Sequence, residues 1–286
     1  MKLCRFHSAA HPFPRVGLTL DDRNVLDLSG LGVKSVVDLL ESADLPGTLK
    51  RLAASPVRSV PVSEVCFVSP VEDQEVWAAG VTYLRSKAAR MEESEFSASA
   101  YDRVYDAPRP EIFFKSVGAK TVGAGGPVGI RADAKWNVPE PELVLVFNSR
   151  RELVGFTVGN DMSSRDIEGE NLLYLPQAKT YKGSCALGPC LRVAVDEAEA
   201  RTWGIRLEIR RDGAEVFSGT TQVSNIKRSF SELGGWLHRS QEFARGVVLL
   251  TGTGIVPPNE FTLAAGDVVR ITIDGIGTLE NPVAVV

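Results

Sequence analysis

Apolar residues in this chain come in short runs closed by Gly, Pro, Asp or Asn, and that punctuation most constrains the fold. Leu143–Phe147, Leu153–Val158, Val247–Thr251, Asp267–Ile273 and Pro282–Val286 have strand length and lack the reach of a packed helix. Arg206–Arg211 and Ala214–Phe217 flank Asp212-Gly213, a dipeptide suited to a two-residue hairpin turn. Helical patterns are few. Ser229–Arg239 is one: Phe230, Leu233, Trp236 and Leu237 make an apolar face, and Ser229 with Glu232 forms a capping box. Many short strands with few helices predict a β-rich α+β protein built as a sandwich, roll or barrel.

The 286 residues suffice for one large domain or two ordinary ones, and the net charge of −4 gives no argument for nucleic acid or a membrane surface. Cys4, Cys66, Cys185 and Cys190 are too scattered for a disulfide framework and lack partners for a zinc set. Reduced thiols suggest a cytoplasmic compartment. The N-terminus carries no long apolar stretch of the signal-peptide kind, and no apolar run approaches a membrane span.

Residues 1–68 read as a small α+β unit, and 69–286 as the main β-rich domain. In the first, Val16–Leu20 and Val25–Leu28 flank Asp21-Asp22-Arg23-Asn24 as a hairpin, and Val33–Leu40 and Leu45–Leu52 have helical spacing. In the second, Val76–Gly80 and Ile112–Lys115 are strand-like and bracket a charged insertion at about 84–110, helical over Leu84–Phe96. A long insertion of this kind suits a lid over a site, and a solvated surface helix fits the pattern equally well.

Chemistry concentrates in Val138-Pro139-Glu140-Pro141-Glu142. The prolines favour extended backbone, so Glu140 and Glu142 face the same way. Asp161 ends the next apolar segment, and antiparallel pairing would bring the three carboxylates together. Three carboxylates with no neighbouring His or Cys suit a hard cation such as Mg²⁺, whereas an isolated Glu-x-Glu is ordinarily a solvated strand edge. Lys179 is either a surface charge or, beside a divalent cation that disfavours its ammonium form, a base; Lys182 is a rival. Glu111, opening an apolar strand, suits either a general acid or an ion pair with Lys115. Thr251-Gly252-Thr253-Gly254 is a loop whose N–H groups can approach a ligand carboxylate; Gly123–Gly129 reads as a turn between strands. His7, His11 and His238 are the only histidines and give a Ser-His-Asp triad poor support.

Pro139–Leu143, Gly159-Asn160-Asp161-Met162-Ser163-Ser164-Arg165-Asp166, the segment through Lys179, Thr251-Gly252-Thr253 and Gly80-Val81-Thr82-Tyr83 together resemble the fumarylacetoacetate hydrolase superfamily. The resemblance spans most of residues 76–286. It implies a mixed β-sandwich roll behind a small N-terminal domain, with Glu140, Glu142 and Asp161 holding Mg²⁺ (or Mn²⁺, or Ca²⁺ in a crystal) that chelates a 2-oxo acid. Hydrolase and decarboxylase members carry a water-activating His and Glu after the segment matching Thr82-Tyr83. Ser86 stands where that His would fall, and Glu168 where Gln is usual.

Arg85-Ser86 with Ala89-Arg90, Pro110–Lys115 and Asn171–Lys179 resemble the sugar-acid dehydratase branch instead. That likeness implies Lys179 and Glu111 at the reacting carbons, and substrate contacts from Arg85, Ser86, Thr253 and Lys179. The implied reaction is dehydration of a 2-keto-3-deoxy pentonate, such as 2-keto-3-deoxy-D-arabinonate, to 2-oxoglutarate semialdehyde by a homodimer or homotetramer. Acylpyruvate hydrolysis, oxaloacetate decarboxylation and non-catalytic sugar-acid binding are the alternatives.

Overall fold

The computed structural model describes residues 1–84 and 103–286; the expected helix over Leu84–Phe96 and most of the expected lid lie outside the described residues. Eighteen strands dominate the described residues. The first segment contributes β1 (Lys2–Ser8), β2 (His11–Thr19), β3 (Asn24–Asp27), β4 (Ser59–Pro61) and β5 (Val65–Val68), with helices α1 (Val36–Leu40) and α2 (Leu45–Ala54). The remainder supplies β6 (Glu75–Gly80), β7 (Glu111–Val117), β8 (Val128–Ile130), β9 (Asn137–Val138), β10 (Pro141–Phe147), β11 (Leu153–Asp161) and β12 (Ser163–Ser164). Helices α3 (Arg165–Glu170) and α4 (Leu175–Lys179) follow, then β13 (Cys185–Val193), α5 (Glu197–Ala200), β14 (Gly204–Arg211) and β15 (Ala214–Gln222). The chain ends with α6 (Phe230–Leu237), β16 (Val247–Leu250), β17 (Val268–Ile273) and β18 (Gly277–Val285).

One large sheet runs β4-β3-β2-β1-β13-β11-β10-β16-β6-β7, with β5 also on β1. The β1–β13 pairing makes the strands of residues 1–68 continuous with the main sheet. A second sheet, β15-β14-β17-β18-β8, packs across it, and β9 pairs with β12 at one end. β10 explains its own sequence. Leu143, Leu145 and Phe147 enter the core shared with β14 and β17, while Val144 and Val146 enter a second core with Leu39, Leu40 and Leu49 of α1 and α2. A strand covered on both faces needs an uninterrupted apolar run.

Local signals also match. Asp212 (φ 52°) and Gly213 (φ 82°) make the tight β14–β15 turn, and the Ser229 hydroxyl accepts from the Glu232 N–H at the start of α6. Two expectations shift. The first helix begins at Val36, because Ser35 caps it by accepting the Asp38 N–H. Trp236 is only half-buried, with its ring between the guanidinium groups of Arg109 and Arg239, which outbid the apolar face of α6. No helix among the described residues is long and apolar enough to cross a membrane.

Candidate metal and substrate site

The β10–β11 hairpin builds the carboxylate cluster. Its register opposes Pro141 to Asn160 and Glu142 to Gly159, which leaves Glu140, Glu142 and Asp161 at one end of the pair. Gly159, across from Glu142, has no room for a side chain, since a Cβ there would run into Val144 and Leu250. One carboxylate oxygen from each of the three acids lies within 4.8 Å of the others, and all three side chains are buried. Burial, and then the charges of Asp161 and Glu140, push the Glu142 carboxyl well above the usual carboxylate range. The Gly252 N–H, donating to Glu142 Oε2 at 2.6 Å, opposes that shift.

Basic groups surround the acids. Lys179, closing α4, donates to Glu140 Oε2 at 2.8 Å, Asp161 Oδ2 at 3.1 Å and the Ser163 hydroxyl at 2.5 Å. Arg165 Nη2 donates to Glu140 Oε1 at 2.9 Å. Lys115, fully buried, pairs with Asp161 Oδ1 and donates to the carbonyls of Met162 and Lys179. Charges removed from water this completely cost several kcal/mol each unless paired, so the arrangement is held by mutual neutralisation.

The donor set fits a hard cation. Its oxygens converge from three carboxylates, and no His or Cys joins the cluster among the described residues. Clefts of about 450 Å³ beside His238 and about 720 Å³ beside the Gly123–Gly126 turn lie away from the acids and carry no comparable cluster among the described residues.

The structure brings Glu140, Glu142, Asp161 and Lys179 together. Glu111 opens β7 opposite Gly80, and its carboxylate lies over that glycine, occupying the space a side chain there would need. The Phe113 ring, two residues on, lies 5.9 Å from Lys179 Nζ. Lys115 does not pair with Glu111; its ammonium goes to Asp161. Thr253 is buried, and its hydroxyl turns back to Ile255, donating to the carbonyl at 3.2 Å and accepting the N–H at 3.3 Å. The loop N–H expected to meet a ligand carboxylate meets a protein one instead: Gly252 serves Glu142. Lys182, the rival lysine, is exposed. Arg85 and Ser86 lie outside the described residues. Sequence reasoning gave Lys115, Ser163 and Arg165 no place in the site. Arg165, four residues after Asp161 within a buried turn, carried a usable signal; Lys115 carried only its position at the end of an apolar strand.

Residues 75–284 match the family model described as fumarylacetoacetate (FAA) hydrolase C-terminal, and the chain belongs to that family. It is 46% identical over 255 residues to a "Probable 2-keto-3-deoxyxylonate dehydratase" of Haloferax volcanii, covering 87% of this chain and 88% of the relative. It is 35% identical to the "2-dehydro-3-deoxy-D-arabinonate dehydratase" of Saccharolobus solfataricus, covering 92% and 90%. A solved 2-keto-3-deoxy-D-arabinonate dehydratase complexed with magnesium and 2,5-dioxopentanoate superposes with a TM-score of 0.82 at 31% identity, over 100% of this chain and 99% of that one.

Proposed function

We propose that this chain is a Mg²⁺-dependent hydro-lyase that converts a 2-keto-3-deoxy pentonate to 2,5-dioxopentanoate (2-oxoglutarate semialdehyde) and water. The observation that carries the reading is Lys179 in contact with two of three clustered buried carboxylates, in a chain with two curated relatives, 46% and 35% identical, named as dehydratases of such acids. The relatives' two substrate names are compatible. With C2 a ketone and C3 a methylene, C4 is the only stereocentre left, so D-xylonate and D-arabinonate give one keto-deoxy acid.

In this reading Glu140, Glu142 and Asp161 hold the cation, and Mn²⁺ shares the same ligand preferences. When bound, it supplies Lewis-acid polarisation of the substrate's 2-oxo group. Lys179 Nζ takes a proton from C3. Glu111 gives a proton to the C4 hydroxyl, which leaves as water. A proton then passes from C5 to C3, leaving an enol across C4 and C5, and the enol O–H proton moves to C4 so that C5 becomes the aldehyde. Arg85, Ser86 and Thr253 orient the substrate's carboxylate and hydroxyls. Residues 1–68 serve as a small N-terminal domain beside the catalytic unit 69–286, with the segment at about 84–110 as its lid. The enzyme works in the cytoplasm as a homodimer or homotetramer.

Purified protein with Mg²⁺ is offered 2-keto-3-deoxy-D-arabinonate and, separately, an acylpyruvate. Aldehyde from the first is expected; cleavage of the second with no aldehyde from the first would replace this reading with a hydrolase. Lys179→Ala is expected to lower kcat by about 10²–10⁴-fold, the usual yield of one positioned proton-transfer group, while Mg²⁺ affinity changes far less. Normal turnover in that variant would remove Lys179 from the role of base.

A further inference from the structure

Lys115 and Arg165 are charges in the site that the proposed chemistry leaves unused, and Lys115 alone touches both Asp161 and the Lys179 backbone. It sits at an irregularity in β7. Val76 faces Ser116 and Trp77 faces Phe114, so Lys115 is the extra residue of a β-bulge. The bulge breaks strand alternation: Lys115 and Ser116 are both buried, while Phe114 is 40% exposed. It thereby turns the lysine inward, behind the carboxylates.

An ammonium has three N–H donors. Lys115 donates to the Met162 carbonyl at 3.0 Å and to the Lys179 carbonyl at 2.5 Å, and its ammonium forms an ion pair with Asp161 Oδ1. The side chain is fully buried among these three oxygens. The three acceptors belong to two elements that are far apart in sequence, the end of β11 and the end of α4. One bears a cluster carboxylate and the other bears the lysine in contact with it. On these contacts, and resting on the functional reading above, we propose that Lys115 is a positioning residue that fixes the carboxylate of Asp161 relative to Lys179.

The alternative is that Lys115 is only a counter-charge, and the two roles differ in sign. Deleting a mere counter-charge beside a cation site leaves the site more negative and tightens cation binding. Deleting a positioning group lets Asp161 and the Lys179 backbone move, and a displacement near 1 Å costs about 10²-fold in rate. A cavity of about 430 Å³, lined by Phe114, Lys115, Ser116 and Lys182, adjoins the residue.

The test uses full-length Lys115→Ala and Lys115→Met, the second keeping most of the side-chain volume. Mg²⁺ affinity is measured by calorimetry, and kcat and KM with 2-keto-3-deoxy-D-arabinonate. Expected in both variants are at least tenfold weaker Mg²⁺ binding and a kcat lower by about 10²-fold with KM within about threefold. In Lys115→Ala, ethylammonium should recover at least tenfold of the lost kcat; tetramethylammonium, equal in charge but without N–H donors, should recover none. Unchanged or tighter Mg²⁺ binding with unchanged kcat, or equal rescue by the two amines, would overturn the positioning role while wild-type turnover left the functional reading intact. Absence of Mg²⁺ binding by the wild type would overturn both.

Discussion

Two buried carboxylate arrangements in this protein look alike as ion pairs and behave differently. Asp267, fully buried, receives Arg211 Nε at 2.7 Å, Arg211 Nη2 at 2.8 Å and the Ala264 N–H at 2.9 Å. One acid meets one planar base in a bidentate fork, and the pair is complete. At the end of β10 and β11, three acids lie side by side: Lys179 serves both Glu140 and Asp161, Arg165 adds to Glu140 and Lys115 to Asp161, and Glu142 is left with the Gly252 N–H and a raised proton affinity. The first arrangement pins a loop to the sheet. The second crowds three carboxylates together and gives Glu142 no ion pair among the described residues, which is what a site built for an added cation requires. The carboxylates are equally buried in the two; the bases are not, since Arg211 is half-exposed and Lys179 is buried, and the cluster sets three acids side by side where the loop has one.

The largest expected effect would break this comparison if it failed. Asp161→Asn should weaken Mg²⁺ binding beyond the roughly 10–100-fold that follows loss of a group supporting a metal ligand, and abolish measurable turnover. Wild-type protein at a Mg²⁺ concentration of about 100 times Kd gains ~2.7 kcal/mol of stability, and this variant should lose that increment. Asp267→Asn should cost only about 1–2 kcal/mol, because half-exposed Arg211 is resolvated, and should leave Mg²⁺ affinity within about threefold. Melting curves with and without Mg²⁺ read both variants. Equal loss of Mg²⁺ stabilisation in the two would mean that the cluster is only another structural ion pair.

The same contrast separates what was legible in the sequence from what was not. The acids were legible because two local rules position them: prolines extend residues 138–142, and an apolar hairpin brings Asp161 back beside them. The β10 run was legible because both of its faces are buried. The cations were not. Lys115 reaches Asp161 only through a bulge set by pairing with Val76 and Trp77, thirty-odd residues earlier in the chain, and nothing local marks it. Pairing Lys115 with Glu111 was the natural sequence expectation, since they are near neighbours on one strand, and the bulge undoes it. The role of Gly252 was hidden for the same reason: its N–H is aimed by contact with β10, a strand distant in sequence.

That glycine sharpens the comparison at a smaller scale. Gly252 has φ +88°, and a Cβ there would lie 2.2 Å from the Thr82 hydroxyl. Gly213 has φ +82° in the β14–β15 turn, with nothing within 4 Å of a Cβ. Gly213→Ala should cost only the left-handed conformation, about 1 kcal/mol. Gly252→Ala adds a steric clash and should cost about 2–3 kcal/mol, with Mg²⁺ binding weakened several-fold as the N–H leaves Glu142. Equal melting temperatures and equal Mg²⁺ affinities for the two variants would separate the loop from the cluster.

The smallest effect concerns the metal-free protein. The Glu142 carboxyl is raised in the fold above its ordinary 4.5, so its protonated form is the one the fold favours. The stability it contributes is fully present below its unfolded value and is lost as pH rises through the folded one. Near neutral pH, without metal, Glu142 therefore works against folding. Glu142→Gln removes the charge and should raise the metal-free melting temperature by about 2–4 °C, on the order of 1 kcal/mol, while flattening the fall in stability above pH 4.5. In saturating Mg²⁺ the order should reverse, because a neutral amide is a poorer ligand for a hard cation than a carboxylate. At Asp267, where acid and base already balance, neutralisation should destabilise with and without Mg²⁺ alike. A crossing of the two melting curves at Glu142 and none at Asp267 would distinguish a carboxylate kept for a cation from one kept for the fold.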